Sequence, residues 1–187
     1  MQRLTWKDTL ARLRTDHERL LSILAAGRPD DPPRSAYLRA SFVCVFLYRV
    51  SNFFYRKNHR LTARFFWHLN LVMTGADISE PADIGEGLVI CNPPGVAIMG
   101  TAGRNLTVMP CAGLGAELGR YEDIGAGPGF CLIGDDVVLE PHSGILGPVR
   151  AGNRVRVGAG IALTRDVPDD TIVAGPRPRF ITPRTHK

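Results

Sequence analysis

The sequence predicts a mainly β fold, a three-sided parallel β-helix preceded by a helical segment, and three observations carry that expectation. Aliphatic or small residues recur at every sixth position through Ile78, Ile84, Ile90, Val96, Ala102, Val108 and Leu114, and again through Ile133, Leu139, Ile145, Ala151, Val157 and Leu163. Four positions after most of these markers stands another small or aliphatic residue, as at Ala82, Leu88, Leu106, Val137, Ser143, Val149 and Val155. Gly134, Gly152 and Gly158 follow markers directly, as expected where a chain turns corners. A period of six matches neither a helix at 3.6 nor a single strand at 2, so a stacked repeat is the reading to consider first. Each unit supplies one short strand and a corner, and three units close one triangular coil. The markers then point into a narrow prism and stack on their counterparts one coil away, about 4.8 Å along the axis. About four such coils are expected.

The segment before the repeats, residues 1–75, reads as helical. Thr5 with Asp8 three residues later forms an N-terminal capping pattern, and Trp6, Leu10, Leu13, Leu20 and Leu24 recur at helical spacing until Gly27. The spacing predicts a helix over residues 5–26. Pro29, Pro32 and Pro33 mark a linker. A second helix is expected with Leu38, Phe42, Phe46, Val50 and Phe53 on its packed face, and a third with Leu61, Phe65, Leu69 and Val72. Such dense apolar stripes are expected to form a core or a subunit contact.

The repeat domain spans residues 76–187, with one interruption and a C-terminal tail. Leu114 and Ile133 lie nineteen apart, which is no multiple of six, so the chain leaves the prism between them. The segment 115–132 holds Gly115, Gly119, Gly125, Gly127 and Gly129 and reads as an external loop whose length points to a functional role.

Charge is uneven along the chain. Residues 1–75 hold thirteen Lys/Arg against five Asp/Glu, residues 76–149 hold two against ten, and residues 150–187 hold eight against three. Basic ends suit a solvated surface, and they also suit an anionic ligand such as a phosphate-bearing cofactor. Nucleic acid is not expected, because aromatic and basic residues do not interleave in the repeats. Cys44, Cys91, Cys111 and Cys131 lack a Cys-x-x-Cys spacing, and free thiols in a reducing cytoplasm are the simplest expectation. The longest apolar run, Phe42 to Tyr48, is far short of the roughly 20 residues of a membrane span.

The run Tyr48-Arg49-Val50-Ser51-Asn52-Phe53-Phe54-Tyr55, the basic helix after it, Gly75-Ala76-Asp77-Ile78, and the closing Val167-Pro168 to Ala174-Gly175 resemble the serine acetyltransferases and related hexapeptide-repeat O-acetyltransferases. The similarity covers roughly residues 40 to 181. It implies a left-handed β-helix assembled as a homotrimer. It also implies acetyl-coenzyme A or another acyl-coenzyme A as co-substrate, a small hydroxyl acceptor, serine-like or sugar, and no metal.

Acyl transfer to a hydroxyl needs a base for the proton and a donor for the oxyanion. In the resembled family the base is a histidine in an Asp-His-x-x-Gly segment, and a second histidine comes from the loop. Here that segment reads Cys91-Asn92-Pro93-Pro94-Gly95, and the loop position is Phe130. Asn92 cannot take up a proton near neutrality. Losing a general base typically costs about 10²- to 10⁴-fold in rate, so the resemblance leaves open both an acyltransferase and a catalytically silent homologue serving as a binding or regulatory subunit. Asp77 occupies an acidic acceptor-binding position of the family, and Asp77 and Asn92 are expected to position the acceptor. His142 is read either as an exposed corner residue, as a relocated base, or as a block to the cofactor channel. Ser143, Gly144, Ala159, Gly160, Ala174 and Gly175 match small positions that let coenzyme A lie against the backbone, with Arg177 and Arg179 available to its phosphates. The same small residues are also what β-helix corners require. A thiol chemistry at Cys91 or Cys111 is a third reading. Zinc chemistry of the hexapeptide-repeat carbonic anhydrase kind needs three histidines on adjoining coils, and the repeats hold one.

Overall fold

A computed structural model of the chain describes residues 5–27 and 36–176. Three helices come first, α1 (Trp6–Ala26), α2 (Ala40–Arg56) and α3 (Arg60–Thr74). The Thr5 cap is present, its hydroxyl accepting from the Asp8 amide while the Asp8 carboxylate accepts from the Thr5 amide.

Among the described residues fourteen short strands follow, numbered along the chain; from β1 to β10 each pairs in parallel with the strand three places on, and β12 pairs with β14. One face stacks β1 (Asp77–Ile78), β4 (Ala97–Ile98), β7 (Gly113–Gly115), β10 (Gly144–Leu146) and β13 (Ala162–Leu163). The second stacks β2 (Asp83–Ile84), β5 (Thr101–Ala102), β8 (Leu132–Ile133) and β11 (Arg150–Ala151), extended by a bridge from Ala151 to Val167. The third stacks β3 (Val89–Ile90), β6 (Thr107–Val108), β9 (Val138–Leu139), β12 (Arg156–Val157) and β14 (Ile172–Val173). The prism thus has five rungs on two of its faces rather than about four. Its interior is a single column of Ile, Leu, Val and Ala, including Ile78, Ile98, Leu114 and Ile145 on the first face, all at most 2% exposed.

One marker is misplaced in the sequence reading. Ile98, not Val96, pairs with Ile78 and Leu114, while Val96 takes the buried position two residues before the marker. The corner after Ile90 is two residues longer than the rule and the corner after Ile98 two residues shorter, so the length of the full coil is unchanged. Gly100, at φ +104 against the Cys131 carbonyl, makes the short corner possible.

The helices close the open end of the prism. A first rung leaves its carbonyls and amides without a neighbouring strand, and unpaired buried backbone groups are costly. Tyr48 Oη donates to Ala82 O at 2.8 Å, Asn52 Nδ2 to Glu80 O and Ala82 O, and Arg49 to Ile84 O and Gly85 O at 2.6 Å each. Asp16 of α1 pairs with Arg49 and accepts from the Leu88 amide at 2.7 Å. The packed face of α2 therefore carries Val45, Tyr48, Arg49 and Asn52. Leu38 is fully exposed ahead of the helix, and Phe46 is 40% exposed. On α3 the expected apolar stripe faces outward, with Leu61, Phe65 and Val72 exposed and Ala63, Asn70 and Thr74 buried. The buried face of α3 packs on α2, where Asn70 donates to Cys44 O at 3.1 Å and Ser51 donates to Ala63 O at 2.8 Å.

Candidate functional site

Helix α3 ends on Gly75, whose left-handed φ of +73 turns the chain directly into β1. That turn brings α3 back over the first rung and leaves a hollow of about 520 Å³ between the first half of the helix and the rung. Asp77 lines it with Trp67, Arg60, Arg64, Ser79 and Glu80. Trp67 Nε1 donates to Asp77 Oδ1 at 2.8 Å, which fixes the carboxylate, and among the described residues the second carboxylate oxygen has no partner. Arg64 lies over the Trp67 ring at 4.9 Å and pairs with the nearly buried Glu80 at 3.1 Å, while Arg60 stacks on Tyr55 at 3.9 Å. Two guanidiniums held on aromatic faces thus border a hollow that contains two carboxylates. A half-buried carboxylate with one free oxygen is suited to accept a hydrogen bond from a hydroxyl. Arg60, Arg64 and Trp67 were not singled out by sequence reasoning, although their i, i+4, i+7 spacing places them on one face of α3.

A second feature is the corner that leads from the third face to the first. Its left-handed residues stack in a column, Gly95 (φ 76), Cys111 (φ 56), His142 (φ 58) and Gly160 (φ 70). A proline precedes three of them, Pro94, Pro110 and Pro141. Gly95 N donates to Gly75 O at 3.1 Å, His142 N to Pro110 O at 3.0 Å and Gly160 N to Pro141 O at 3.0 Å, which ties each corner to the one before. Just past this column the first face is smooth, because its outward residues in register are Ala97, Gly113, Gly144 and Ala162. A groove of about 170 Å³ runs there, lined by Gly95, Cys111, Gly113, Gly144 and Leu146 among others. A Cβ on Gly113 would strike the Ala97 carbonyl, so the smoothness is enforced by the packing of the rungs themselves.

The other expected residues divide as follows. Gly144 lines the groove, whereas Ser143 is buried and spends its hydroxyl on Glu140 O at 2.7 Å. Ala159, Gly160, Ala174 and Gly175 are exposed on the last corners. Arg177 and Arg179 lie outside the described residues. Asn92 is exposed, makes no side-chain hydrogen bond among the described residues, and lines neither the hollow of Asp77 nor the groove. The structure therefore does not bring Asp77 and Asn92 into one cavity. His142 is exposed at its corner.

The four thiols differ sharply. Burial pushes Cys44 and Cys131 up to about 11, and burial also raises Cys91, with Arg19 opposing it. Cys111 is exposed. The loop after β7 is anchored on the prism by Arg150, which donates to Ile124 O at 2.7 Å, and by Arg120, which reaches Thr164 O at 3.3 Å. Leu118 and Tyr121 stand out from it, 96% and 74% exposed. Among the described residues no group of three His, Cys, Asp or Glu is placed to hold a metal ion, and no helix is long and apolar enough to cross a membrane.

No protein-family model matches the chain. It is 29% identical over 159 residues to the serine acetyltransferase of Mycobacterium tuberculosis, covering 81% of this chain and 67% of that one. The native serine acetyltransferase 1 of Entamoeba histolytica superposes with a TM-score of 0.76 at 26% identity, over 90% of this chain and 64% of that one. A serine acetyltransferase solved in complex with CoA superposes with the same score at 18% identity, over 91% and 68%. Across eight of its curated relatives the chain spans between 54% and 77% of their length. The six-residue rungs, the helical lead-in and these matches together make the chain similar to the serine acetyltransferases in sequence and in fold, a left-handed parallel β-helix of hexapeptide repeats.

Proposed function

We propose that the chain is an acyl-coenzyme A-dependent O-acyltransferase, moving an acetyl group to a small hydroxyl acceptor, serine-like or sugar, in the cytoplasm. The observation that carries this reading is the Asp77 carboxylate, fixed by Trp67 Nε1 at 2.8 Å, with its second oxygen open in a hollow of about 520 Å³. That oxygen would accept from the acceptor hydroxyl, and the arginines beside it would hold any anionic group the acceptor carries. The smooth groove along Ala97, Gly113 and Gly144 offers the backbone contact that a pantetheine arm needs, and a relative of this fold has been solved with CoA. Arg177 and Arg179 are proposed for the cofactor phosphates. Asn92, which lines neither the hollow nor the groove, takes no part in this reading.

A homotrimer is part of the same proposal. Leu61 at 88%, Phe65 at 61%, Val72 at 81% and Met73 at 60% exposure form an apolar helix face that a neighbouring subunit would cover. Titration with coenzyme A tests the reading directly. Ligand at 100 times its dissociation constant adds about 2.7 kcal/mol, and thioester cleavage with serine or a sugar should fall when Asp77→Asn removes the open carboxylate. Absence of any melting shift at millimolar coenzyme A would sink the proposal.

A further inference from the structure

We infer that the acceptor is an anionic polyol, a sugar or similar polyhydroxy compound carrying a carboxylate or a phosphate, with its reacting hydroxyl on Asp77 and its anion on Arg60. The inference rests on the acyltransferase reading and names the class of molecule that the hollow takes.

The charges that line the hollow do not all cancel in pairs. Glu80 is buried and matched by Arg64 at 3.1 Å, and Arg64 in turn lies over the Trp67 ring, so that pair is closed. Arg60 has no carboxylate partner among the described residues. Its Nε donates to Asn58 Oδ1 at 3.3 Å, and its guanidinium stacks on the Tyr55 ring at 3.9 Å. The first turn of α3 holds no acidic residue that could neutralise it. A guanidinium already laid flat on an aromatic face has little freedom left to lose, and its edge remains available to a carboxylate or phosphate.

Asp77 presents the opposite need. One of its oxygens is held by Trp67 Nε1 and the other is open. Ser79 lines the same hollow, and its hydroxyl makes no hydrogen bond among the described residues. An accepting carboxylate oxygen and a hydroxyl that can donate or accept suit more than one hydroxyl of the same molecule.

Spacing then separates the acceptors. Trp67 stands seven residues after Arg60, two turns and about 10 Å along α3. The smooth groove proposed for the thioester begins at Ala97, one rung from Asp77. The reacting hydroxyl therefore belongs at the Asp77 end of the hollow and the anion at the Arg60 end. In serine the hydroxyl and the carboxylate sit on adjacent carbons, too close together to engage both ends. On a hexose with an acidic group at its far carbon they lie several bonds apart. The volume agrees, because about 520 Å³ falls within the roughly 300–1,000 Å³ of clefts that enclose drug-sized ligands. Leu61, Pro81 and Met99 supply apolar walls for ring carbons. In the transfer the acceptor oxygen bonds to the acyl carbon, the bond from that carbon to the coenzyme A sulfur breaks, and the hydroxyl proton leaves with the sulfur. One thioester and one alcohol become one ester and one thiol.

The test follows release of the coenzyme A thiol by the full chain from acetyl-coenzyme A, with serine and with the neutral, uronate and 6-phosphate forms of glucose, galactose and mannose as acceptors. At least one anionic sugar should exceed its neutral counterpart by about tenfold or more in kcat/KM, chiefly through KM, as one charge-assisted hydrogen bond would give. Whether the uronate or the phosphate leads identifies the anion. Arg60→Gln should bring the charged and neutral forms together, and Arg60→Lys should keep part of the gap, a pattern that a merely structural role would not produce. Arg60 is exposed at the start of α3, so neither change disturbs the core. Neutral sugars used as well as anionic ones, serine used in preference to every sugar, or a preference that Arg60→Gln leaves intact would each overturn the acceptor assignment and leave acyl transfer standing. Coenzyme A binding with no anionic sugar acylated would overturn it as well. Failure to bind coenzyme A at all would overturn the acyltransferase reading and the assignment with it.

Discussion

Replacing Asp16 by alanine tests whether the helical cap is held by one buried ion pair. Asp16 and Arg49 are 0% and 2% exposed, Arg49 Nε lies 2.9 Å from one carboxylate oxygen, and the other oxygen also accepts the Leu88 amide. Removing the carboxylate leaves a full positive charge in the interior, with only the carbonyls of Ile84 and Gly85 to receive it, and orphans a backbone N–H. Breaking a buried pair from one side costs about 3–5 kcal/mol. The orphaned amide belongs to the same network, so its share is not added separately. For a chain of this size each kcal/mol moves the melting temperature by roughly 2–4 °C, so a fall of roughly 6–20 °C is expected. The assay is urea unfolding followed by circular dichroism at fixed protein concentration, with Asp16→Leu/Arg49→Met as the companion. The companion should recover part of the loss, because it removes the stranded charge, but not all of it, because the Ile84 and Gly85 carbonyls then lose their donor. A cost below about 1 kcal/mol for Asp16→Ala would refute the argument that this pair holds the cap.

Acid should loosen the corner that leads from the second face to the third, where Asp135, Asp169 and Asp170 stand. Hydrogen bonds from Arg104, Asn153 and Arg154 hold Asp135, Asp169 and Asp170 below the usual carboxylate value of 3.8, so their contribution is complete above that value and is lost as pH falls through the lower folded values. Replacing all three by asparagine should flatten the acid limb of a stability-against-pH curve, and an unchanged limb would refute it. Gly113→Val should cost about 1–3 kcal/mol by forcing a side chain against the Ala97 carbonyl, read as a shifted urea midpoint. A thiol reagent at pH 8 should modify Cys111 rapidly in the folded protein, and Cys44 and Cys131 only after denaturation, since burial raises both to about 11. Light scattering should give the mass of three chains, and Leu61→Glu/Phe65→Glu should reduce it.

Much of the prism is legible because its periodicity is imposed by stacking. Ile84, Ile90, Val108 and Leu139 face inward for the same reason that they recur at sixes, and the break between Leu114 and Ile133 announces the loop. Val96 was misread because two opposite length changes, at the corners after Ile90 and Ile98, leave the total unchanged and the file of sixes apparently whole. The helices were harder, since an apolar stripe reads equally as a core or as a subunit contact, and α3 presents Leu61, Phe65 and Val72 outward. What selects the packed face of α2 is a row of carbonyls on another element, and no local pattern in that helix reveals that Arg49 and Asn52 will serve it. The site was legible residue by residue but not as an arrangement. Asp77 could be named, yet its partner Trp67 stands ten positions earlier on a helix, and the stacking of the Cys111 corner on the His142 corner depends on a loop of sixteen residues between β7 and β8 being set aside.

The cap has a directional consequence for how such a chain can change. With Tyr48, Arg49 and Asn52 committed to the carbonyls of one particular rung, the prism is closed at its first coil and, among the described residues, offers no such fittings further along. A coil inserted ahead of β1 would have to recreate every one of those contacts and would separate α3 from Asp77. A whole coil inserted between β12 and β13 would need only to repeat the stacking already present, leaving cap and hollow untouched. Length in this molecule is therefore free to vary at one end and locked at the other, like a thread that can be wound further only from its loose end.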